Sequence, residues 1–263
     1  MELILLIIVL AFLFKTMDSS SGMGFGTTLT PLLFLLGYSP LQIVPTILIS
    51  ETITGFVGAF FDHEFKNVNF SFRPLSDATK LALYMGFFGC LAISISISIG
   101  YFAIKFPDYF IKTYVAILAM FMGIAGFLRI KLKKRDAFNP KPKMLFAFSA
   151  LAGFNKGISG GGYGPLITMG QIFSGVYEKS ATAIVSFSKA MVSLIGIFTF
   201  FLISYAGVES DLILLPSIFT GGFLAALAAP YMVRVLPNNI WKYFIPIYAL
   251  GIGIFSLLKL FIL

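Results

Sequence analysis

The sequence predicts an all-α polytopic membrane protein built from two inverted repeats, each a broken, re-entrant helix pair followed by three transmembrane helices. Three observations predict it. The first is composition: of 263 residues, 58% are hydrophobic, only 11% are charged, and 31 are Phe. The mean hydropathy is +0.95. A water-soluble fold of this size cannot hide so much apolar surface, so a soluble enzyme and a DNA-binding module are excluded. The second is the row of apolar runs long enough to span a bilayer, each about 20 residues. The third is a pair of Gly-rich interruptions that align with each other.

The elements follow in order along the chain. Residues 3–36 are apolar but broken by Asp18-Ser19-Ser20-Ser21-Gly22-Met23-Gly24-Phe25-Gly26. No cleavable leader is expected here, because Glu2 precedes the run and there is neither a basic n-region nor a small-residue cleavage site. Clean spans follow at about 40–61, 79–103 and 109–130. Ser39-Pro40 and Pro107-Asp108 supply helix-start chemistry for two of them. Ile93-Ser94-Ile95-Ser96-Ile97-Ser98 alternates like a strand, but its apolar flanks predict a helix whose serines face other helices. A basic link then runs from Arg129 to Lys143, with Pro140 and Pro142. Residues 144–174 are broken by Asn155-Lys156-Gly157-Ile158-Ser159-Gly160-Gly161-Gly162-Tyr163-Gly164-Pro165. Three more spans lie at about 178–204, 211–234 and 241–262.

A shift of 138 residues superposes Ser21-Gly22-Met23-Gly24-Phe25-Gly26 on Ser159-Gly160-Gly161-Gly162-Tyr163-Gly164. It also pairs Gly37 with Gly175, Asp18 with Lys156 and Glu51 with Lys189. The chain therefore reads as a duplication: a first transmembrane repeat at 1–130, a basic cytoplasmic linker at 131–143 and a second repeat at 144–263. Paired, Gly-interrupted apolar segments in two halves point to a secondary-transporter binding site.

The net charge of +8 suggests nucleic acid, but seven of the 19 Lys and Arg lie between Arg129 and Lys143, which reads as membrane orientation. With the link inside and each broken region returning to its own side, 13 Lys and Arg lie inside and three outside. If the broken regions cross instead, the count is 11 to five. The first arrangement fits the positive-inside rule better, gives an odd number of crossings per repeat and so inverts the halves. Residues 3–17 are long for half a crossing.

Each break exposes N–H groups at the start of the next half-helix, expected at about Thr27 and Leu166. The helix dipole is positive there and favours an anion. The substrate-binding candidates are Ser20, Ser21, Gly22, Gly24, Gly26 and Thr27 in the first break, with Lys156, Ser159, Gly160, Gly161, Gly162, Tyr163 and Gly164 in the second. The glycines allow close approach of a ligand, and Ser19 with the other serines adds hydroxyl donors. Close helix packing by small residues is the competing use of these glycines.

The doubled motif, with Pro31 and Pro165, resembles that of the TauE/SafE sulfite exporter family, also called the toluenesulfonate uptake permease family. The segment Gly221-Gly222-Phe223-Leu224-Ala225-Ala226-Leu227-Ala228-Ala229-Pro230 resembles its second-half helix pattern. The resemblance spans the chain. It implies a multi-pass transporter of sulfite, organosulfonates or related sulfur-containing anions in the cell membrane.

Ionisable residues within spans are functional candidates. Glu51 lies 11 residues past Pro40 and Lys189 lies 11 past Glu178, both near mid-span. Lys189 shares a stripe with Thr182, Ser186, Ser193 and Gly196 and fits an anion-binding charge. Asp18 and Glu51 fit protonatable coupling groups, with Glu51 also a partner for Lys189. Lys156 also fits a helix C-terminus, and Lys15 a partner for Asp18 or a snorkelling cation. His63, at a span end, fits a solvated interfacial residue, and Cys90, the single cysteine, a packing residue. No cofactor, metal or nucleic acid is expected; the partners are a small anion and the bilayer. The chain carries no H-E-x-x-H, G-x-S-x-G or Walker sequence, so it is not expected to be an enzyme and any pumping uses a gradient. An anion channel using the same breaks as a filter is the alternative.

Overall fold

The structure is a computed structural model, and it describes residues 3–22, 25–131, 141–173, 176, 178–235 and 239–262. These form ten α-helices: α1 (Leu5–Ser21), α2 (Phe25–Leu35), α3 (Pro40–Glu64), α4 (Asp77–Ile97), α5 (Asp108–Lys131), α6 (Pro142–Ser159), α7 (Tyr163–Phe173), α8 (Glu178–Ser204), α9 (Leu215–Val235) and α10 (Asn239–Phe261). α4 continues as π-helical turns over Ser98–Ala103. Gly24, Gly175 and most of the basic link lie outside the described residues.

Local chemistry sets these ends. The Ser39 N–H donates to Gln42 Oε1 at 2.9 Å, with Pro40 opening α3. Ser76 Oγ accepts the Thr79 N–H at 3.2 Å, so α4 starts at Asp77. Pro142 opens α6. α1 and α6 end alike: Gly22 (φ 70°) donates to Asp18 O and Gly160 (φ 71°) donates to Lys156 O, both at 2.7 Å. Only glycine takes this left-handed cap cheaply. The Ile–Ser alternation is helical, and its serines do face helices: Ser96 Oγ donates to Phe154 O of α6 at 2.7 Å, and Thr199 of α8 bonds Ser94 at 3.1 Å. At the end of α3, His63 Nδ1 accepts the Phe70 N–H at 3.2 Å.

α3, α4 with its π-helical end, α5 and most of α8 are each long and apolar enough to cross a bilayer. α9 and α10 carry further apolar stretches at Leu215–Ala229 and Pro246–Phe261. Exposed Phe, Leu and Ile side chains such as Phe87, Leu91, Ile95, Phe198 and Leu202 cover the outside of the bundle, as a lipid-facing surface requires. The chain is an all-α, multi-pass membrane protein.

The helices pack in pairs that map onto one another when the halves are exchanged. α3 packs on α8, and α5 on α10. α1 packs on α9 as α6 packs on α4, and α3 packs on α9 as α8 packs on α4. Small residues let several of these pairs close up. A β-carbon on Gly126 would lie 2.6 Å from Pro246 Cγ, and one on Gly253 would lie 2.8 Å from Met120 N.

The helix ends gather in two groups. At one end, the Ile4 N–H donates to Ser217 Oγ (2.9 Å), Gln42 Nε2 to Asp211 (2.8 Å) and Lys259 Nζ to Leu35 O (2.9 Å). At the other, Tyr84 Oη donates to Pro142 O (3.1 Å) and Gln171 Nε2 to Ala181 O (3.4 Å). α7 folds back along α6, with Gly170 against the Phe148 ring and Phe173 6.4 Å from that ring. The start of α1 and the end of α2 likewise share one end of the bundle.

Candidate functional site

The two breaks lie side by side in the middle of the bundle, running in opposite directions. Gly26 lies against Gly160 O, and Gly164 lies against Gly22 O. A β-carbon on Gly161 would sit 2.8 Å from Thr27 N. The 138-residue shift exchanges the first two of these contacts. α2 and α7 begin at Phe25 and Tyr163, two to three residues before the expected starts at Thr27 and Leu166, because the left-handed caps at Gly22 and Gly160 turn the chain sooner.

Two N–H groups of the second break are held within the bundle in this conformation. Gly161 donates to Ser159 Oγ and Gly162 to Thr27 Oγ1, both at 3.1 Å. Ser159 Oγ also bonds Asn155 O at 2.7 Å. Tyr163 is 1% exposed, and its hydroxyl donates to Met85 O at 3.3 Å. Tyr101 Oη holds Ile158 O at 2.7 Å, so α4 clamps the last turn of α6 at Phe154 and Ile158. Ser20 and Ser21 close α1 by their backbone.

Five buried charges surround the breaks. Lys15, Asp18, Glu51, Lys156 and Lys189 are each no more than 6% exposed. They form one alternating chain. Lys15 Nζ lies 3.5 Å from Asp18, Asp18 bonds Lys189, Lys189 lies 3.3 Å from Glu51, and Glu51 bonds Lys156. Each carboxylate thus bridges two ammonium groups, and Lys189 bridges both carboxylates. The sequence paired Glu51 with Lys189. The geometry adds Lys156, whose ammonium reaches across to Glu51 rather than capping its own helix. The pairs Asp18–Lys189 and Lys156–Glu51 exchange under the 138-residue shift, with the signs reversed.

Both ends of this chain are cationic: three ammonium groups meet two carboxylates. Taking one ion out of water costs several kcal/mol, and pairing offsets that cost when the geometry is good. Among the described residues, the excess positive charge has no carboxylate of its own. Lys15, whose Nζ also sits 5.5 Å from the centre of the Phe25 ring, supplies it. Among the described residues, no group of His, Cys, Asp and Glu could hold a metal ion.

Residues 7–259 match the family described as Sulfite exporter TauE/SafE. The chain belongs to this family. It is a membrane transport protein of the TauE/SafE family, with the multi-pass architecture described above. A curated relative, "Probable membrane transporter protein YtnM" of Bacillus subtilis (strain 168), is 25% identical over 240 residues, covering 87% of this chain and 75% of that one. No solved structure matches.

Two features of this TauE/SafE chain escape a reading of the sequence. One is that Lys15 joins the central charges. Its signal is an ionisable residue three positions before Asp18 within an apolar run. The other is an asymmetry between the halves. Ser50 aligns with Ser188, and Phe25 with Tyr163, under the 138-residue shift. Tyr163 carries a hydroxyl that interacts with Ser188. Phe25 carries none, and the buried Ser50 hydroxyl has no hydrogen-bond partner among the described residues. A β-carbon on Gly222 would lie 3.0 Å from that hydroxyl and 3.4 Å from Phe25 Cζ, so Gly222 belongs to the surroundings of the first break.

Proposed function

We propose that the chain is a secondary transporter of small sulfur oxyanions, sulfite or organosulfonates, which bind where the paired breaks meet the buried charges. The observation that carries this reading is the cationic excess at the crossing of the two breaks. From the first half we assign Ser20, Ser21, Gly22, Gly26 and Thr27 to this site, and Gly24, outside the described residues, by its place in the motif alone. Lys156, Ser159, Gly160, Gly161, Gly162, Tyr163, Gly164 and Lys189 frame it from the second. An arriving oxyanion draws Lys189 and Lys156 toward itself, and the N–H groups now held by Ser159 and Thr27 become its donors. Asp18 and Glu51 then lose part of their counter-charge. A proton taken up with the anion restores the balance, which makes these carboxylates the coupling groups.

The exchange-related packing supports two repeats, 1–130 and 144–263, joined by the cytoplasmic link 131–143 and inverted with respect to each other. The grouping of helix ends supports broken pairs that re-enter rather than cross. Alternating access then follows from rocking one repeat against the other about the central charges. Single cysteines in a Cys90→Ser background test the arrangement. Cysteine at Lys66 should be labelled only from the cytoplasm, and cysteine at Asp108 or Tyr205 only from outside. Tyr205, 77% exposed, is a better probe than the nearby Val208, 8% exposed. Cytoplasmic labelling at Tyr205 would exclude the inverted arrangement.

Function itself is tested by uptake into proteoliposomes with sulfite, thiosulfate, sulfoacetate, taurine and sulfate, with and without a proton gradient. Saturable uptake of the sulfur oxyanions, counterflow, and stimulation by the gradient are expected. Single-channel currents without saturation would assign the breaks to a channel filter instead.

A further inference from the structure

A second cationic cavity lies at the end of the bundle where α2 finishes. It has a volume of about 250 Å³ and is lined by Pro31, Phe34 and Leu35 of α2, Lys112 of α5, and Ser256 and Lys259 of α10. Its chemistry is divided. The α2 side chains and Leu260 make an apolar wall, and two ammonium groups stand opposite with no carboxylate among the lining residues. Lys259 spends one donor on Leu35 O at 2.9 Å, capping the last turn of α2. An ammonium has three donors, so two remain. The deciding group is Ser256. It is 5% exposed, it lines the cavity, and its hydroxyl has no hydrogen-bond partner among the described residues. A buried hydroxyl left unpaired keeps its full desolvation penalty, which a ligand acceptor in the cavity relieves.

We propose that this cavity is a second anion site, which takes an oxyanion head carried on an apolar body. The head sits between Lys112 and Lys259 and accepts from Ser256, and the body lies along Pro31, Phe34 and Leu260. Two sources supply such a ligand at the bilayer surface: a free alkyl or aryl sulfonate, or the phosphate of an anionic phospholipid. The wall of this site is α2, whose other end carries Phe25 and Gly26 of the first break, 11 residues or about 16 Å away at 1.5 Å per residue. An occupant that draws Lys259 off Leu35 O therefore acts on the same half-helix that lines the centre. The site itself does not depend on the central reading, and its test reads binding rather than flux.

The test uses the full chain with Cys90→Ser and Ile262→Cys, labelled with an environment-sensitive fluorophore. Ile262 is 73% exposed, two residues past Leu260 at the rim. In one arm, hexanesulfonate is titrated into protein in a neutral detergent, with hexanol as the uncharged control. In the other, the labelled protein is placed in nanodiscs of phosphatidylcholine with or without phosphatidylglycerol. A saturable change is expected in at least one arm, and the arm that responds names the source. Lys112→Gln/Lys259→Gln should raise the apparent Kd about tenfold or more, Ser256→Ala about threefold, and the exposed Lys80→Gln not at all. The same label at Tyr205→Cys should stay silent, and gel filtration checks the fold of each variant. A response that hexanol reproduces, that survives Lys112→Gln/Lys259→Gln unchanged, or that is missing from both arms overturns the proposal.

Discussion

Glu51→Gln is expected to abolish transport and to cost about 3–5 kcal/mol of stability, the usual cost of stripping one partner from a buried ion pair. Glu51 bridges Lys156 and Lys189. Without it, Lys189 keeps Asp18, but Lys156, fully buried, has no other carboxylate at ion-pair distance among the described residues. The double variant Glu51→Met/Lys156→Met removes the pair together and leaves apolar side chains in its place. It should recover most of the lost stability, because a well-packed apolar substitute for a buried pair is often neutral or stabilising. It should still fail to transport. Lys15→Met separates stability from function in the opposite direction. The Lys15–Asp18 pair is lost but the three pairs linking Asp18, Lys189, Glu51 and Lys156 survive, the volume is nearly kept, and the fold should melt close to the parent. Yet the cationic excess is gone, and the anion affinity should fall about tenfold or more. The measurements are thermal unfolding in detergent and oxyanion uptake normalised to folded protein. Parent-like affinity in Lys15→Met would move the binding site away from the charged chain. A parent-like Tm in Glu51→Gln would mean that the pair with Lys156 is not formed in the membrane.

The sequence was informative where pattern reports backbone. The helices over the six apolar runs, four of them long and apolar enough to cross a bilayer, the two broken regions and the cap glycines are set by runs of apolar residues and by Gly22 and Gly160, all visible in one dimension. The 138-residue shift also pairs the residues that meet: Asp18 with Lys156 and Glu51 with Lys189 are its partners, and the ion pairs Asp18–Lys189 and Glu51–Lys156 join them crosswise. The crosswise partner could not be read, because it depends on which helix faces which across the interface between the halves. The same limit hid Lys15. On its own helix it has one neighbour, Asp18, and only the approach of α8 turns that local pair into part of a five-membered chain. Starting positions also shifted. Thr27 and Leu166 were placed just past the last residue of each break, Gly26 and Pro165, whereas Phe25 and Tyr163 start the half-helices because a left-handed glycine reverses the chain within a few residues. In the sequence Gly222 is only one residue of the 221–230 segment, and its place beside Ser50 and Phe25 is a tertiary fact.

The other large effect concerns the glycines where backbone meets backbone. Gly26 lies on Gly160 O, with its would-be β-carbon 2.9 Å from Gly161 Cα, and Gly164 lies on Gly22 O. Peptide groups cannot swing aside as a side chain can, so even one methyl group must force the two breaks apart. Overpacking of this kind costs about 1–3 kcal/mol, and here it is applied at the crossing of both breaks. Gly26→Ala and Gly164→Ala should therefore both lose transport, and to a similar extent, since the contacts are exchanged between the halves. Gly160→Ala tests a different cause. Its neighbours are Val44 Cα at 3.5 Å and Ile47 at 3.7 Å, ordinary contact distances, but its φ is 71°. The strain there is conformational, and Asn tolerates the left-handed region better than other residues. Gly160→Asn should consequently retain more activity than Gly160→Val. The controls are Gly58→Ala and Gly251→Ala, where a β-carbon meets nothing within 4 Å. In mid-helix these should be neutral or raise the Tm slightly, through the better helix propensity of Ala. Uptake normalised to folded protein, with the Tm beside it, separates the cases. If Gly26→Ala transports like Gly58→Ala, the two breaks do not touch during the transport cycle, and the anion site must be built from the charged chain without them.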